Sequence, residues 1–239
     1  MPRFTKLIAS IVLVSSATFL GCANNSATRA PMSATTTKAE QQAMTPDQAV
    51  ARLAAGNKRF VAGQSENRDY VAQARTTASG QYPFAVVLSC IDSRAAPEIV
   101  FDQGIGDVFV PRIAGNYVQA DILGSMEFAT KVAGAKVIVV VGHSECGAVK
   151  GACDDVQLGN LTTVIQAIRP AVKSVQNVSG ERNSSNHEFV REVTVKNVQL
   201  TVEKIRTDSP ILRELEQSGQ IKIVGAMYDL ATREVVWLN

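Results

Sequence analysis

Cys90, His143 and Cys146 are the residues whose types and spacing could do chemistry together. Thiolate sulfur and imidazole nitrogen are donors that zinc favours. Three protein donors leave a fourth tetrahedral position for water, the pattern of a catalytic rather than a structural site, which would want a fourth Cys or His nearby. Each part is weak alone. A Cys at a strand end is usually a small buried hydrophobe, and a lone His-x-x-Cys is seldom a metal site. Asp92 and Arg94 flank the first Cys in Cys90-Ile91-Asp92-Ser93-Arg94. A guanidinium can hold a carboxylate by two parallel hydrogen bonds. Without Cys90 next door the pair would read as a surface ion pair in a turn.

The elements around these residues place them on one rim. Pro83 to Cys90 is a continuous apolar run, the pattern of a strand buried on both faces. Cys90 falls at its carboxyl end. Lys136 to Val141 is a second such strand ending at Gly142, so His143 and Cys146 lie just past it. In open α/β sheets the functional crevice lies outside the carboxyl ends of the strands, where the winding direction reverses. Val108 to Val110 reads as a short strand, and Ile221 to Tyr228 and Glu234 to Leu238 as closing strands with a tight return at Thr232-Arg233. Thr45-Pro46-Asp47 opens a helix with Thr as N-cap and Pro at the first helical position. That helix carries Ala49, Leu53 and Phe60 and stops near Gly63. Further helices are expected over Tyr70 to Ala78, Asp121 to Val132, Leu161 to Gln176, His187 to Thr207 and Pro210 to Gln217, with Pro170 kinking or splitting the fourth of these six. Buried strands alternating with helices predict an α/β domain with a mainly parallel central sheet flanked by helices.

The segments Cys90–Arg94 and Gly142-His143-Ser144-Glu145-Cys146-Gly147-Ala148 resemble those of the β-class carbonic anhydrases. Val110-Pro111-Arg112-Ile113-Ala114-Gly115-Asn116, Asp121 to Phe128 and Val224 to Leu230 resemble further parts of that family, and the resemblance runs from about Thr45 to the end. It implies one Zn2+ per subunit on Cys90, His143 and Cys146, and reversible hydration of carbon dioxide to bicarbonate by zinc-bound hydroxide. It also implies a switch. Held by Arg94, Asp92 accepts a hydrogen bond from the zinc-bound water; released, Asp92 becomes a fourth zinc ligand in a closed, inactive state. Gln103 or the backbone of Gly104, with Gly147, stand as candidate substrate contacts. Val87 stands where one bacterial subgroup carries a Trp of a regulatory bicarbonate pocket, so that pocket is not expected. The resemblance also implies a homodimer or tetramer.

Hydrophobic residues make up 46% of the 239 and charged residues 19%, the usage of a globular chain. Arg3 and Lys6 precede an apolar run from Leu7 to Leu20, too short to span a bilayer comfortably but suited to a signal-peptide core. The run ends in Phe19-Leu20-Gly21-Cys22, which resembles a bacterial lipobox with Phe19 where Leu is usual. Residues 1–21 are therefore expected to be a lipoprotein-type signal peptide, residues 22–44 a flexible tether, and residues 45–239 the catalytic domain. Cys22 would be the lipidated mature N-terminus, placing the protein on the periplasmic side of a bacterial membrane; the alternative is a soluble periplasmic form. Removing Arg3 and Lys6 brings the 24 basic residues level with the 22 acidic ones, so no nucleic-acid partner is indicated. His187, in a polar stretch, is a candidate proton shuttle or a solvated loop residue, and Cys153 a spare thiol. Two other readings compete with carbon dioxide hydration. One is hydrolysis of carbonyl sulfide or carbon disulfide on the same fold. The other is non-catalytic zinc binding or thiol redox chemistry, against which the retention of Asp92 and Arg94 argues.

Overall fold

A computed structural model describes Met32 and residues 34–238 of the 239. The expected leader, Cys22 and the first part of the expected tether lie outside the described residues. The two apolar runs form the centre of a five-stranded sheet. β1 (Ala85–Ser89) and β3 (Val137–His143) are buried at every position and pair in parallel from Ala85↔Val137 to Ser89↔Val141. β2 (Val108–Phe109) lies beyond β1 and β4 (Lys222–Tyr228) beyond β3, both parallel. β5 (Val235–Leu238) is antiparallel to β4 and closes that edge. In its return, Asp229 Oδ1 accepts the amides of Ala231 and Thr232 at 2.8 Å, and Arg233 takes a φ of 68°. The strand order is β2-β1-β3-β4-β5, so the winding reverses between β1 and β3.

Nine α-helices are described: α1 (Lys38–Ala43), α2 (Pro46–Val61), α3 (Tyr70–Thr77), α4 (Pro97–Val100), α5 (Ala120–Glu127), α6 (Gly147–Cys153), α7 (Leu161–Ser174), α8 (His187–Asp208) and α9 (Pro210–Gln217). Alternation along β1 and β3 divides the core into two layers. Ala85, Val87, Val137 and Val139 cluster with Ala49 and Leu53 of α2. Val86, Leu88, Ile138 and Val140 cluster with Val198 and Val202 of α8 and Leu212 and Leu215 of α9. A third apolar cluster joins Val149 of α6, Ile165 and Ile168 of α7 and Phe189 and Val193 of α8 around Cys90 and Cys146.

Two expectations are corrected, and a third, at Pro170, is narrowed. The segment before Thr45 is not a loose tether throughout. Thr36 and Gln41 are buried. Thr36 donates its N–H to Asp107 Oδ1 at 3.0 Å, and Gln41 Nε2 donates to the carbonyls of Pro83 at 2.7 Å and Ala133 at 2.8 Å. Thr37 and Glu40 cap α1 reciprocally. This segment docks by hydrogen bonds and has no apolar stripe to betray it. The helix expected through Val132 widens after Glu127 into a π-helical turn over Phe128–Val132, closed by the Ala133 N–H on the Phe128 carbonyl. Pro170 does not split α7. Both it and Gln166, whose carbonyl it leaves without a helical donor, lie on the exposed face, where water can supply the bond.

Candidate metal centre

Cys90 directly follows β1, His143 ends β3, and Cys146 is the N-cap of α6. The switch between β1 and β3 thus brings the three together at the carboxyl end of the sheet. Their donor atoms all lie within 4.8 Å of one another, and all three residues are buried. The two sulfurs are 3.9 Å apart. His143 Nδ1 lies 2.9 Å from the Ser144 carbonyl, which fixes the tautomer with the proton on Nδ1. Nε2 then carries the lone pair, and it is buried with no hydrogen-bond partner among the described residues. A buried polar atom left unpaired calls for an unseen partner. A zinc ion taking that lone pair and both sulfurs supplies one, so the donor set fits a zinc site with an open fourth position.

The two sulfurs stand within hydrogen-bonding reach of each other. Donation from Cys146 pulls the Cys90 thiol far down against the effect of burial, helped by His143 and the Gly115 N–H, and the same contact pushes Cys146 up. Burial disfavours a charged His143, but the contact with the Cys90 thiolate outweighs it and raises the imidazole. Zinc ligands bind deprotonated, so loading the site releases these protons.

The loop after Cys90 is clamped from two sides. Arg94 Nε and Nη2 reach Asp92 Oδ1 at 2.9 Å and Oδ2 at 2.8 Å, and the Arg94 N–H adds a third bond at 3.0 Å. Those bonds from Arg94 hold the Asp92 carboxyl far below the usual carboxylate range, against modest burial. Asp92 Oδ2 stands 3.9 Å from His143 Nε2, so the pair borders the metal position. Arg112 forks underneath, donating to the Cys90 carbonyl at 2.9 Å and the Asp92 carbonyl at 2.7 Å. Gly142 lets α8 approach His143: a Cβ there would lie 2.7 Å from Val198 Cγ2.

The substrate candidates fare differently. Gln103 is buried and its Nε2 donates to the Phe101 carbonyl, while the Gly104 N–H goes to Asp107 Oδ2 at 2.8 Å. Asp107 precedes β2 and its carbonyl accepts the N–H of Phe84, just before β1. Both candidates therefore lie at the amino end of the sheet, a strand length from the ligands, and neither lines the metal centre within this chain. The reason is topological, since a chain entering a parallel strand must first return to the sheet's amino end. Gly147 begins α6 beside Cys146, with open space where a Cβ would stand. Val87 is core. Cys153 is a buried thiol pushed up to about 11 by that burial. His187 is exposed and its Nδ1 lies 3.2 Å from Glu145 Oε1. The sequence reading gave no role to Glu145, which has a φ of 58° and also pairs with Lys150. It also missed Ser144, whose carbonyl sets the His143 tautomer and whose Oγ accepts the Leu230 N–H at 2.9 Å. No pattern in the sequence marks such backbone roles.

A parallel sheet that brings two thiols and one imidazole to its switch point, with a fourth position open, defines a catalytic zinc protein. The chain belongs to the carbonic anhydrase family, whose model matches residues 85–235. Carbonic anhydrase 2 of Mycobacterium tuberculosis is 38% identical over 184 residues, covering 74% of this chain and 86% of that protein. A carbonic anhydrase of Mycolicibacterium smegmatis is 36% identical over 186 residues, covering 75% and 87%. Among solved structures, a β-carbonic anhydrase of Aspergillus fumigatus superposes with a TM-score of 0.61 at 25% identity, over 80% of this chain and 90% of that one. One of two tetrameric β-carbonic anhydrases from Sordaria macrospora shares the fold, with a TM-score of 0.60 at 24% identity over 71% and 90%.

Proposed function

We propose that this chain reversibly hydrates carbon dioxide to bicarbonate and a proton, with one zinc ion per subunit held by Cys90, His143 and Cys146. The observation that carries the reading is the buried Nε2 of His143, which has no hydrogen-bond partner within bonding geometry among the described residues and faces two sulfurs. Zinc on such a donor set lowers the pKa of a bound water to about 7 and so supplies a nucleophile at neutral pH. Beside a bound zinc, Asp92 would accept a hydrogen bond from the water and orient it toward carbon dioxide. Arg94 fixes that carboxylate in one orientation and keeps it ionised. It also keeps Asp92 from becoming a fourth ligand itself, a step that would close the site. Arg112 holds the loop in register through two backbone carbonyls. The apolar shell of Val149, Ile165 and Phe189 lowers the local dielectric, which strengthens each of these interactions. The test is carbon dioxide hydration by purified protein before and after chelation, with zinc content measured in the same samples. Stoichiometric zinc without hydration activity would overturn the reading.

The protein is further proposed to assemble as a homodimer or tetramer. Phe128 and Val132, 54% and 72% exposed, support this as large apolar surface, with Phe128 packed edge-on against Phe109 of the edge strand β2; the Sordaria macrospora relatives are tetrameric. Light scattering giving a monomer mass would refute it. Residues 1–21 are proposed to export the chain, and Cys22 to carry lipid that supplies its only membrane attachment. The sequence Leu20-Gly21-Cys22 after an apolar run supports that reading. Several acyl chains on one Cys anchor stably where one does not. Wild-type protein should partition with detergent and Cys22→Ser should not; a mature N-terminus elsewhere, without lipid, would rule the anchor out.

A further inference from the structure

The turn Ile113-Ala114-Gly115-Asn116 passes between the end of β1 and two helices, and Gly115 is gripped on both sides. Its N–H donates to Cys90 Sγ at 3.4 Å. Its carbonyl accepts from Asn197 Nδ2, on α8, at 2.8 Å. Asn197 is 3% exposed, so this is an interior bond and not a surface contact. Gly115 has a φ of 77°, and a Cβ there would lie 2.4 Å from Ile168 Cδ1 of α7. The turn is therefore pressed by α7, hung from α8, and aimed at the ligand sulfur. Asn116 follows at a φ of 42°, so two consecutive residues are left-handed and the N–H direction depends on the turn being held.

We propose that Asn197 is a positioning residue for the Cys90 ligand, acting through Gly115; the inference rests on the reading of Cys90 as a zinc ligand. An N–H donated to a metal-bound thiolate draws charge from the sulfur and fixes the direction of its remaining lone pairs. Without the Asn197 amide, the Gly115 carbonyl loses its interior partner and the turn is free to rotate the N–H off Cys90. Outer-shell partners of metal ligands typically change affinity 10–100-fold when removed.

The test uses Asn197→Ala and Asn197→Leu in the full chain, with Thr194→Val as control. Thr194 lies one turn earlier on α8, is equally buried, and its hydroxyl bonds the Val190 carbonyl of its own helix. Zinc Kd, measured by competition with a chromophoric chelator, should rise roughly 10–100-fold in both Asn197 variants. The sulfur-to-metal charge-transfer band of Co2+-loaded protein should shift in them as well. Thr194→Val should move neither readout. Folded Asn197 variants with wild-type zinc affinity and an unmoved band would overturn the proposal. A second measurement needs no variant: in 113Cd2+-loaded wild-type protein the Gly115 amide proton should couple to the metal through the N–H···S bond. Its absence, with Cys90 itself coupled to cadmium, would overturn the proposal too. Wild-type protein that takes up no zinc would instead overturn the metal reading, and this inference with it.

Discussion

At His143 a single backbone contact decides the chemistry. The Ser144 carbonyl takes the Nδ1 proton, and Nε2 is left with a lone pair and no other described partner. Cys90→Ala, His143→Ala and Cys146→Ala should each lose zinc and hydration activity together, as metal analysis alongside the assay would show. Arg94→Ala is different, because Arg94 touches no ligand atom. Zinc should stay bound while turnover falls about 10²–10³-fold, the scale seen when a positioned electrostatic group is deleted. An unchanged rate would reduce the Asp92–Arg94 pair to a turn-stabilising ion pair. The 3.9 Å between the two sulfurs carries a further consequence. A disulfide needs about 2.05 Å, so a modest shift closes the pair once zinc is stripped. Two thiols and dioxygen would give a disulfide and hydrogen peroxide. Stripped protein exposed to air should regain activity only with reductant plus zinc, and recovery with zinc alone would show that the thiols had not paired.

Between the elements, Asp102 plays the part of a rivet. It sits at a φ of 47° after α4, 2% exposed at its side chain. Arg59 of α2 reaches it at 2.6 Å, Arg68 pairs with it just before α3, and the Glu66 N–H donates at 3.2 Å. Burial pushes the Asp102 carboxyl up, but those partners together win and hold it below its ordinary value. A carboxylate depressed in the folded state adds stability that is fully present above its unfolded pKa of about 3.9 and lost as pH falls through the folded value. Asp102→Asn should therefore cost about 1.5–3 kcal/mol near neutral pH, where Arg59 and Arg68 keep Glu66 as their remaining carboxylate partner. The gap to wild type should close under acid, and a gap independent of pH in denaturant melts would contradict the argument. The sequence revealed the long elements here because β1 and β3 are continuous apolar runs and α2 and α9 carry Pro at their first helical position. α4 and α6 went unread, being four and seven residues long, too short to show a period. The ligands were legible because strand ends are legible. Gln103 and Gly104 lie at the other end of the sheet from the ligands of their own chain, which the sequence did not reveal because spacing along the chain says nothing of which end of the sheet a loop has returned to. Gly115 and Asn197, far apart in sequence, meet only through the packing of α8.

For the molecule as a whole, one end of the sheet carries the metal centre and the other receives the chain. Thr36 bonds Asp107 before β2, and Gln41 bonds the carbonyls of Pro83 before β1 and Ala133 before β3. The described chain thus enters the domain at the amino ends of three parallel strands, a full strand length from Cys90 and His143. The strap of residues 34–44 is thus separate from the metal centre, so it can be tested without disturbing the rim. A chain beginning at Thr45 would lose the three amide bonds made by Thr36 and Gln41 and leave one carboxylate and two carbonyls short of a donor. At about 0.5–1.5 kcal/mol for each bond, the loss is about 1.5–4.5 kcal/mol. A domain of this size shifts by roughly 2–4 °C for each kcal/mol, so Tm should fall by about 3–18 °C relative to a chain beginning at Ala34. Zinc stoichiometry should be the same in both, because no ligand or clamp on the rim touches residues 34–44. Coincident melting curves would show that the strap adds nothing. A loss of zinc with unchanged Tm would show that the two ends of the sheet are coupled after all.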